Sequence, residues 1–274
     1  GAAKLSAATW RGAREPQSCA PGAMGESTLE APEAEASDVE LRLLALIREN
    51  GERRERREGR AASEASPGAF GADRLLVEEN GFELWLGSME DALSLRVLRD
   101  CGFGAVLNCA VEECERECAA HRGGGRGRRR AHARGASLYD EERLDGGELD
   151  RDRVRATAQF DGEWYSRMLG RETVLLGISA DDAEGYDMQQ HFAEVSEFLS
   201  SCRAEGKKVL VHCLMGINRA SVAAVAFMCS GLGMSLEEAV DLISKERGHV
   251  LSNRSFLREL VTIYGSAGAP VEFH

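Results

Sequence analysis

Residues 207–229 constrain the fold more than any other part of this chain. Residues 207–211, KKVLV, end in a short apolar run, Val209, Leu210 and Val211, which passes without a spacer into His212, Cys213, Leu214, Met215, Gly216, Ile217, Asn218 and Arg219. Residues 220–229 then continue as small and apolar side chains. A short apolar run bounded by turn signals reads as a buried strand, and a helix that is apolar on every side belongs in the middle of a core. Strand, loop and buried helix in that order imply an α/β layer with a sharp, glycine-containing turn between them.

The rest of the chain supplies matching parts. Residues 82–88, FELWLGS, alternate as a strand, and a helix follows over 89–101 with Gly102 to end it. GAVLNC at 104–109 and TVLLGI at 173–178 are further apolar strands. A helix over 188–203 shows Phe192, Val195 and Phe198 on one face, and two more occupy 235–247 and 253–264, the first opened by a capping box of Ser235 and Glu238. These elements predict an α/β domain over residues 77–265, with a central mixed, mostly parallel sheet flanked by helices.

Residues 1–76 are rich in Ala, Glu, Arg, Gly and Ser, a composition that struggles to offset the entropy of ordering a chain. They read as a mostly disordered extension with one amphipathic helix over 38–57, built on Leu41, Leu43, Leu44, Leu46 and Ile47, whose dense charge reads as a solvated face. An insertion is expected at 119–155, including the Arg-rich HRGGGRGRRRAHARG, which reads as a solvated loop. Residues 266–274 read as a tail.

Composition narrows the function classes. With 46 acidic against 34 basic residues the formal charge is −12, which argues against a broad nucleic-acid-binding face. Eight cysteines in 274 residues are too sparse for a secreted disulfide framework, so a reducing compartment is expected. No run reaches the roughly eighteen apolar residues of a membrane span. The expectation is an intracellular protein, cytoplasmic or nuclear, with no membrane and no nucleic acid among its partners.

The loop after the 207–211 strand carries the chemistry. Backbone N–H groups between a strand end and a helix start can converge into a concave anion site, to which the helix dipole adds positive character. Such a site suits a phosphoryl group, and its field favours thiolate at Cys213, the form that acts as nucleophile. Gly216 permits the close turn. Arg219 offers a planar fork for two phosphoryl oxygens, a geometry that lysine lacks.

VLVHCLMGINRAS, with LWLGS followed by Asp91 and Ala92, AVLNCA, GISADD, and the Asn253, Phe256, Leu257, Leu260 set, resembles in content and order the dual-specificity branch of the protein tyrosine phosphatases, atypical type, over residues 82–264. The resemblance implies a protein phosphatase acting on phosphotyrosine and on phosphoserine or phosphothreonine through a phosphocysteine. Cys213 would be the nucleophile, Arg219 the phosphate clamp and Asp182 the general acid, with Asp181 as its adjacent competitor. Leu214, Met215, Gly216, Ile217 and Asn218 would bind substrate, and His212, Ser221 and Asn253 would support the loop. It implies no metal and no cofactor. Phosphorylated proteins, a mitogen-activated kinase among them, would be the partners. One position departs from the family: Ala220 stands where Ser or Thr usually helps the thiolate leave, so a slow second step is expected.

Other readings of these residues exist. A phosphoprotein-binding module with little turnover is the alternative that Ala220 suggests, and a phosphatase of RNA ends or small phosphates is a third. Cys109, Cys114, Cys118 and His121 carry zinc-type donors in a short span, without the spacing of a paired knuckle.

Overall fold

The structure is a computed structural model that describes residues 36–61, 70–123, 154–155 and 158–265. Its centre is a five-stranded sheet of order β1-β2-β5-β3-β4, comprising β1 (Asp73–Val77), β2 (Glu83–Gly87), β3 (Phe103–Asn108), β4 (Val174–Gly177) and β5 (Lys208–His212). β1 runs antiparallel to β2 at one edge, and every other pairing is parallel. Pairs such as Leu84 with Val209, and Val106 with Leu210, put continuous apolar runs side by side, as a sheet covered on both faces requires.

The helices are α1 (Asp38–Ala61), α2 (Met89–Ala92), α3 (Leu95–Cys101), α4 (Val111–Gly123), α5 (Gly162–Leu169), α6 (Phe192–Ala204), α7 (Arg219–Leu232), α8 (Leu236–Arg247) and α9 (Arg254–Tyr264). α7 is buried on every side from Arg219 to Cys229, and it packs against β2, β5, α6, α8 and α9. Its small residues allow that many close neighbours, so the strand, loop and central helix read from residues 207–229 are all present. Ser235 and Glu238 form the expected reciprocal cap of α8. Among the described residues no helix is long and apolar enough to cross a membrane.

Several elements differ from the sequence reading. The helix expected over 89–101 is broken between α2 and α3, where the Ser94 hydroxyl donates to the Glu90 carbonyl and competes with the helical ladder. The stretch between β3 and β4, for which the sequence reading gave only the insertion at 119–155 and no helix, holds α4 and α5. Among the described side chains of α4 only Cys114 and Cys118 are buried, too thin a stripe to stand out. α5 is defined by its ends instead: the Asp161 carboxylate accepts from the Trp164 N–H at 2.7 Å, and Gly170 closes the helix at φ 64°.

The expected boundary at residue 76 also shifts. β1 begins at Asp73 and contributes only Leu75 to the core, which is why no alternation marks it. α1 docks on α8 and α9: Leu43 is buried, Asn50 donates to Asp241 and Ser244, and Arg258 pairs with Glu40. Most of the expected insertion at 119–155, including its Arg-rich run from residue 124, lies outside the described residues; 119–123 belong to α4. The 266–274 tail and residues 1–35 lie outside them as well.

Candidate active site

The chemistry gathers where three neighbouring parallel strands end. β5 delivers Cys213, β3 leads into Glu113 on α4, and β4 leads into the loop holding Asp182. Crevices outside the carboxyl ends of parallel strands are where α/β sheets place ligands, because the connections must part there.

The loop between β5 and α7 has a consistent polarity. The carbonyl of Leu214 accepts from the Met89 N–H, those of Met215 and Gly216 from the Arg247 guanidinium, that of Ile217 from the Leu251 N–H, and that of Asn218 from the Val222 N–H. All of these partners lie outside the loop's hollow. Because N–H and C=O point opposite ways across a trans peptide plane, the N–H groups of Met215, Gly216, Ile217, Asn218 and Arg219 face inward. The Gly216 N–H donates to Cys213 Sγ at 3.2 Å. Gly216 itself is at φ +69°, and a Cβ there would lie 2.4 Å from the Gly87 carbonyl oxygen, so only glycine fits.

Arg219 enters from the first turn of α7 and is buried. It donates to the Ala180 carbonyl at 3.0 Å and to the Glu113 carboxylate, while its Nε has no partner. Burial opposes its charge, but the Glu113 hydrogen bond and the charges of Cys213, Glu113 and Asp182 outweigh burial and raise its pKa. It stays a cation whose Nε–H is uncommitted.

Asp182 lies across the loop from this arginine. Asn218 Nδ2 donates to both of its oxygens at 3.1 Å, and Asn253 Nδ2 to Oδ1 at 3.2 Å. Neighbouring Asp181 has no such link to the loop among the described hydrogen bonds. Asn253 also caps α9 by accepting from the Ser255 N–H.

His212 is fully buried, with Nδ1 3.3 Å from the Cys213 carbonyl and Nε2 without a partner. Burial pushes its pKa down to about 4, against a smaller upward pull from the Cys213 carbonyl, so the imidazole is neutral and braces the loop from behind. Ser221 is buried in α7 and its hydroxyl has no partner, so it makes no hydrogen bond to the loop. Leu214 and Ile217 are both partly buried, whereas Met215 is 62% exposed at the rim.

Cys109, Cys114 and Cys118 are all buried. Burial, reinforced by the Cys213 charge, pushes the Cys109 thiol well up and the Cys114 thiol to about 12, which favours thiols over the thiolates that bind zinc. No three His, Cys, Asp or Glu side chains converge as a metal cluster among the described residues.

Two contributors escaped the sequence reading. Glu113 sits in an acidic stretch of α4, and Arg247 ends α8; only the fold brings them to the loop. The one sequence signal for Glu113 was its place just past the carboxyl end of an apolar strand.

Residues 163–265 match the family model for the dual specificity phosphatase catalytic domain. The chain is 32% identical over 99 residues to the Xenopus laevis protein phosphatase Slingshot homolog, covering 36% of this chain and 14% of that protein. It is 33% identical over 89 residues to human dual specificity protein phosphatase 26, covering 32% and 42% respectively. The putative tyrosine phosphatase 123R of Invertebrate iridescent virus 6 is 30% identical over 96 residues, 35% of this chain and 66% of that protein. The matches therefore span less than half the length of the first two relatives. A mouse putative dual specificity phosphatase crystallised with zinc tungstate aligns with a TM-score of 0.47 and 15% identity, over 74% of this chain and 91% of that one.

Proposed function

We propose that this chain, which belongs to the dual specificity phosphatases of the protein tyrosine phosphatase superfamily, hydrolyses phosphotyrosine and phosphoserine or phosphothreonine in proteins through a phosphocysteine on Cys213. The observation that carries the reading is the outward turn of every carbonyl from Leu214 to Asn218, which leaves the inward N–H groups and the unpartnered Arg219 Nε as donors around Cys213 Sγ. Such a set matches the oxygens of a phosphoryl group and the charge that builds on them in the transition state.

In the first step a lone pair of the Cys213 thiolate forms the S–P bond as the ester P–O bond breaks, and Asp182 gives its proton to the departing oxygen. In the second, water attacks phosphorus, Asp182 takes back a proton, and the S–P bond breaks to return the thiolate and release phosphate. Arg219 holds the equatorial oxygens in both steps. General acid–base help of this kind contributes about 10² to 10⁴-fold.

The neutral side chains of Leu214, Met215, Ile217 and Asn218 supply no extra cation for a multiply phosphorylated inositol ring, which favours phosphoproteins as substrates. A mitogen-activated kinase is one such candidate. A reducing compartment, cytoplasmic or nuclear, suits a reaction that needs Cys213 as a free thiol.

A second reading, a phosphoprotein-binding module with little turnover, is favoured by Ala220. Steady-state hydrolysis of an aryl phosphate and of phosphopeptides separates the two. The phosphatase reading expects activity that Cys213→Ser abolishes and Asp182→Ala strongly reduces. Tight phosphopeptide binding without any hydrolysis by the wild type would select the binding module.

A further inference from the structure

Asn218 occupies the N-cap position of α7, where an asparagine ordinarily accepts a hydrogen bond from the first turn. It makes no such cap. Its amide is instead fixed at both ends. Oδ1 accepts from the Ser252 hydroxyl at 3.0 Å and from the Asn253 N–H at 3.1 Å, and Nδ2 donates to both oxygens of Asp182 at 3.1 Å. Asn253 adds a donor to Asp182 Oδ1 at 3.2 Å and reaches the Ala183 carbonyl at 3.4 Å.

Asp182 needs such a hold. It lies in an exposed loop, where residues 181–185 are all open to solvent, and an unrestrained carboxyl there would spread over several rotamers. Proton transfer to a leaving oxygen requires hydrogen-bond reach in a fixed direction. The amide that restrains Asp182 belongs to the residue immediately before Arg219, so the group that delivers the proton is registered to the loop that would hold the phosphoryl group.

We propose that Asn218, assisted by Asn253, is a positioning residue that holds the Asp182 carboxyl over the loop and assigns its two oxygens. Amide donors from both asparagines converge on Oδ1. When Asp182 is protonated, Oδ1 is therefore the acceptor and Oδ2 carries the proton toward the leaving oxygen. In the first step that Oδ2–H bond breaks as the ester oxygen leaves phosphorus, and the resulting carboxylate keeps the donors of both amides. This inference rests on the assignment of Asp182 as general acid and goes beyond it by naming what orients it.

The test is kcat/KM, which reports the first chemical step even if the second is slow, across aryl phosphates from 4-nitrophenyl phosphate to phenyl phosphate and phosphotyrosine. Wild type, Asn218→Ala, Asn253→Ala, Asp182→Ala and the Asn218→Ala/Asp182→Ala double variant are compared. A good leaving group needs little proton assistance and a poor one needs much. Asn218→Ala is expected to lose about tenfold on the poor leaving groups and less than about threefold on 4-nitrophenyl phosphate, with a milder version of the same tilt for Asn253→Ala. In the Asp182→Ala background the Asn218 substitution is expected to cost little more, since coupled residues are non-additive. Equal losses across all leaving groups, or additive losses in the double variant, would overturn the proposal and leave a structural role. If Asp182→Ala itself shows no leaving-group dependence while the wild type turns over, the assignment of the acid fails, and the proposal with it. A wild type inactive on every substrate would remove the phosphatase reading as well.

Discussion

Asp73 and Arg247 form an ion pair at 2.9 Å that ties the edge strand β1 to the outer side of the loop between β5 and α7. From the same guanidinium, Nε donates to the Gly216 carbonyl and Nη2 to the Met215 carbonyl, both at 3.2 Å, and Nη1 reaches the Gly71 carbonyl at 2.6 Å. Asp73 also pairs with Arg54 of α1 at 3.0 Å. A chain of charged hydrogen bonds thus runs from the N-terminal helix to the backbone that surrounds Cys213. Its rigid fork is what turns the Met215 and Gly216 carbonyls outward.

Arg247→Lys is expected to lower kcat/KM by about tenfold. A lysine can keep the charge opposite Asp73 but cannot direct two planar donors at adjacent carbonyls. Arg247→Ala is expected to destabilise the fold by about 1–3 kcal/mol, because it removes a charged donor from partly buried acceptors. Steady-state kinetics and urea unfolding check the two halves separately.

Glu113 pairs with Arg219 from α4 and has no counterpart in the loop itself. Replacing it with alanine leaves Arg219 anchored only at the Ala180 carbonyl, free to swing off the phosphoryl oxygens. A loss of about ten- to a hundredfold in kcat/KM is expected, with Glu113→Gln losing less because it can still accept the hydrogen bond. Equal losses for the two variants would point to charge rather than orientation as its contribution.

Ala220 supplies no hydroxyl beside the loop, and Ser221 does not replace one. Successive helical residues are rotated by about 100°, and the Ser221 hydroxyl is buried without a partner in α7. Ala220→Ser is expected to raise kcat severalfold and leave kcat/KM nearly unchanged, because it acts on phosphoenzyme hydrolysis. In stopped-flow traces the wild type should show a burst matching the enzyme concentration, and the variant a smaller one or none.

His212 provides a pH dependence of stability. The unfolded imidazole takes up a proton below about pH 6.5, whereas the folded one, held down by burial, does so only near pH 4. Between those values the unfolded state binds more protons. Stability is therefore complete above about pH 6.5 and declines as the pH falls toward 4, by a total on the order of 3 kcal/mol. Denaturant titrations from pH 8 to 4 check this, and His212→Asn should flatten that limb.

What was legible in the sequence follows the distance over which each feature is encoded. Cys213, Gly216 and Arg219 lie within one strand–loop–helix segment, so spacing and local chemistry exposed them together. The strands β3, β4 and β5 were readable from short apolar runs, and β2 from its alternation. β1 was not, because a single buried leucine leaves no pattern. Glu113 and Arg247 join the site only through tertiary contact, and each reads locally as an ordinary charge on an exposed helix. Asn218 was assigned to substrate binding as part of the loop, but nothing local told that its amide would be spent on Asp182. The docking of α1 depends on Asn50, Glu40 and Arg54, polar residues whose partners lie in distant helices and strands.

A covalent phosphocysteine is detected in the mass of the intact protein quenched in acid within milliseconds of mixing with an aryl phosphate. One phosphoryl group per chain is expected, mapped to Cys213, absent in Cys213→Ser and slow to form in Asp182→Ala. Phosphate release at the same rate without any adduct, or an adduct on another residue, would contradict it.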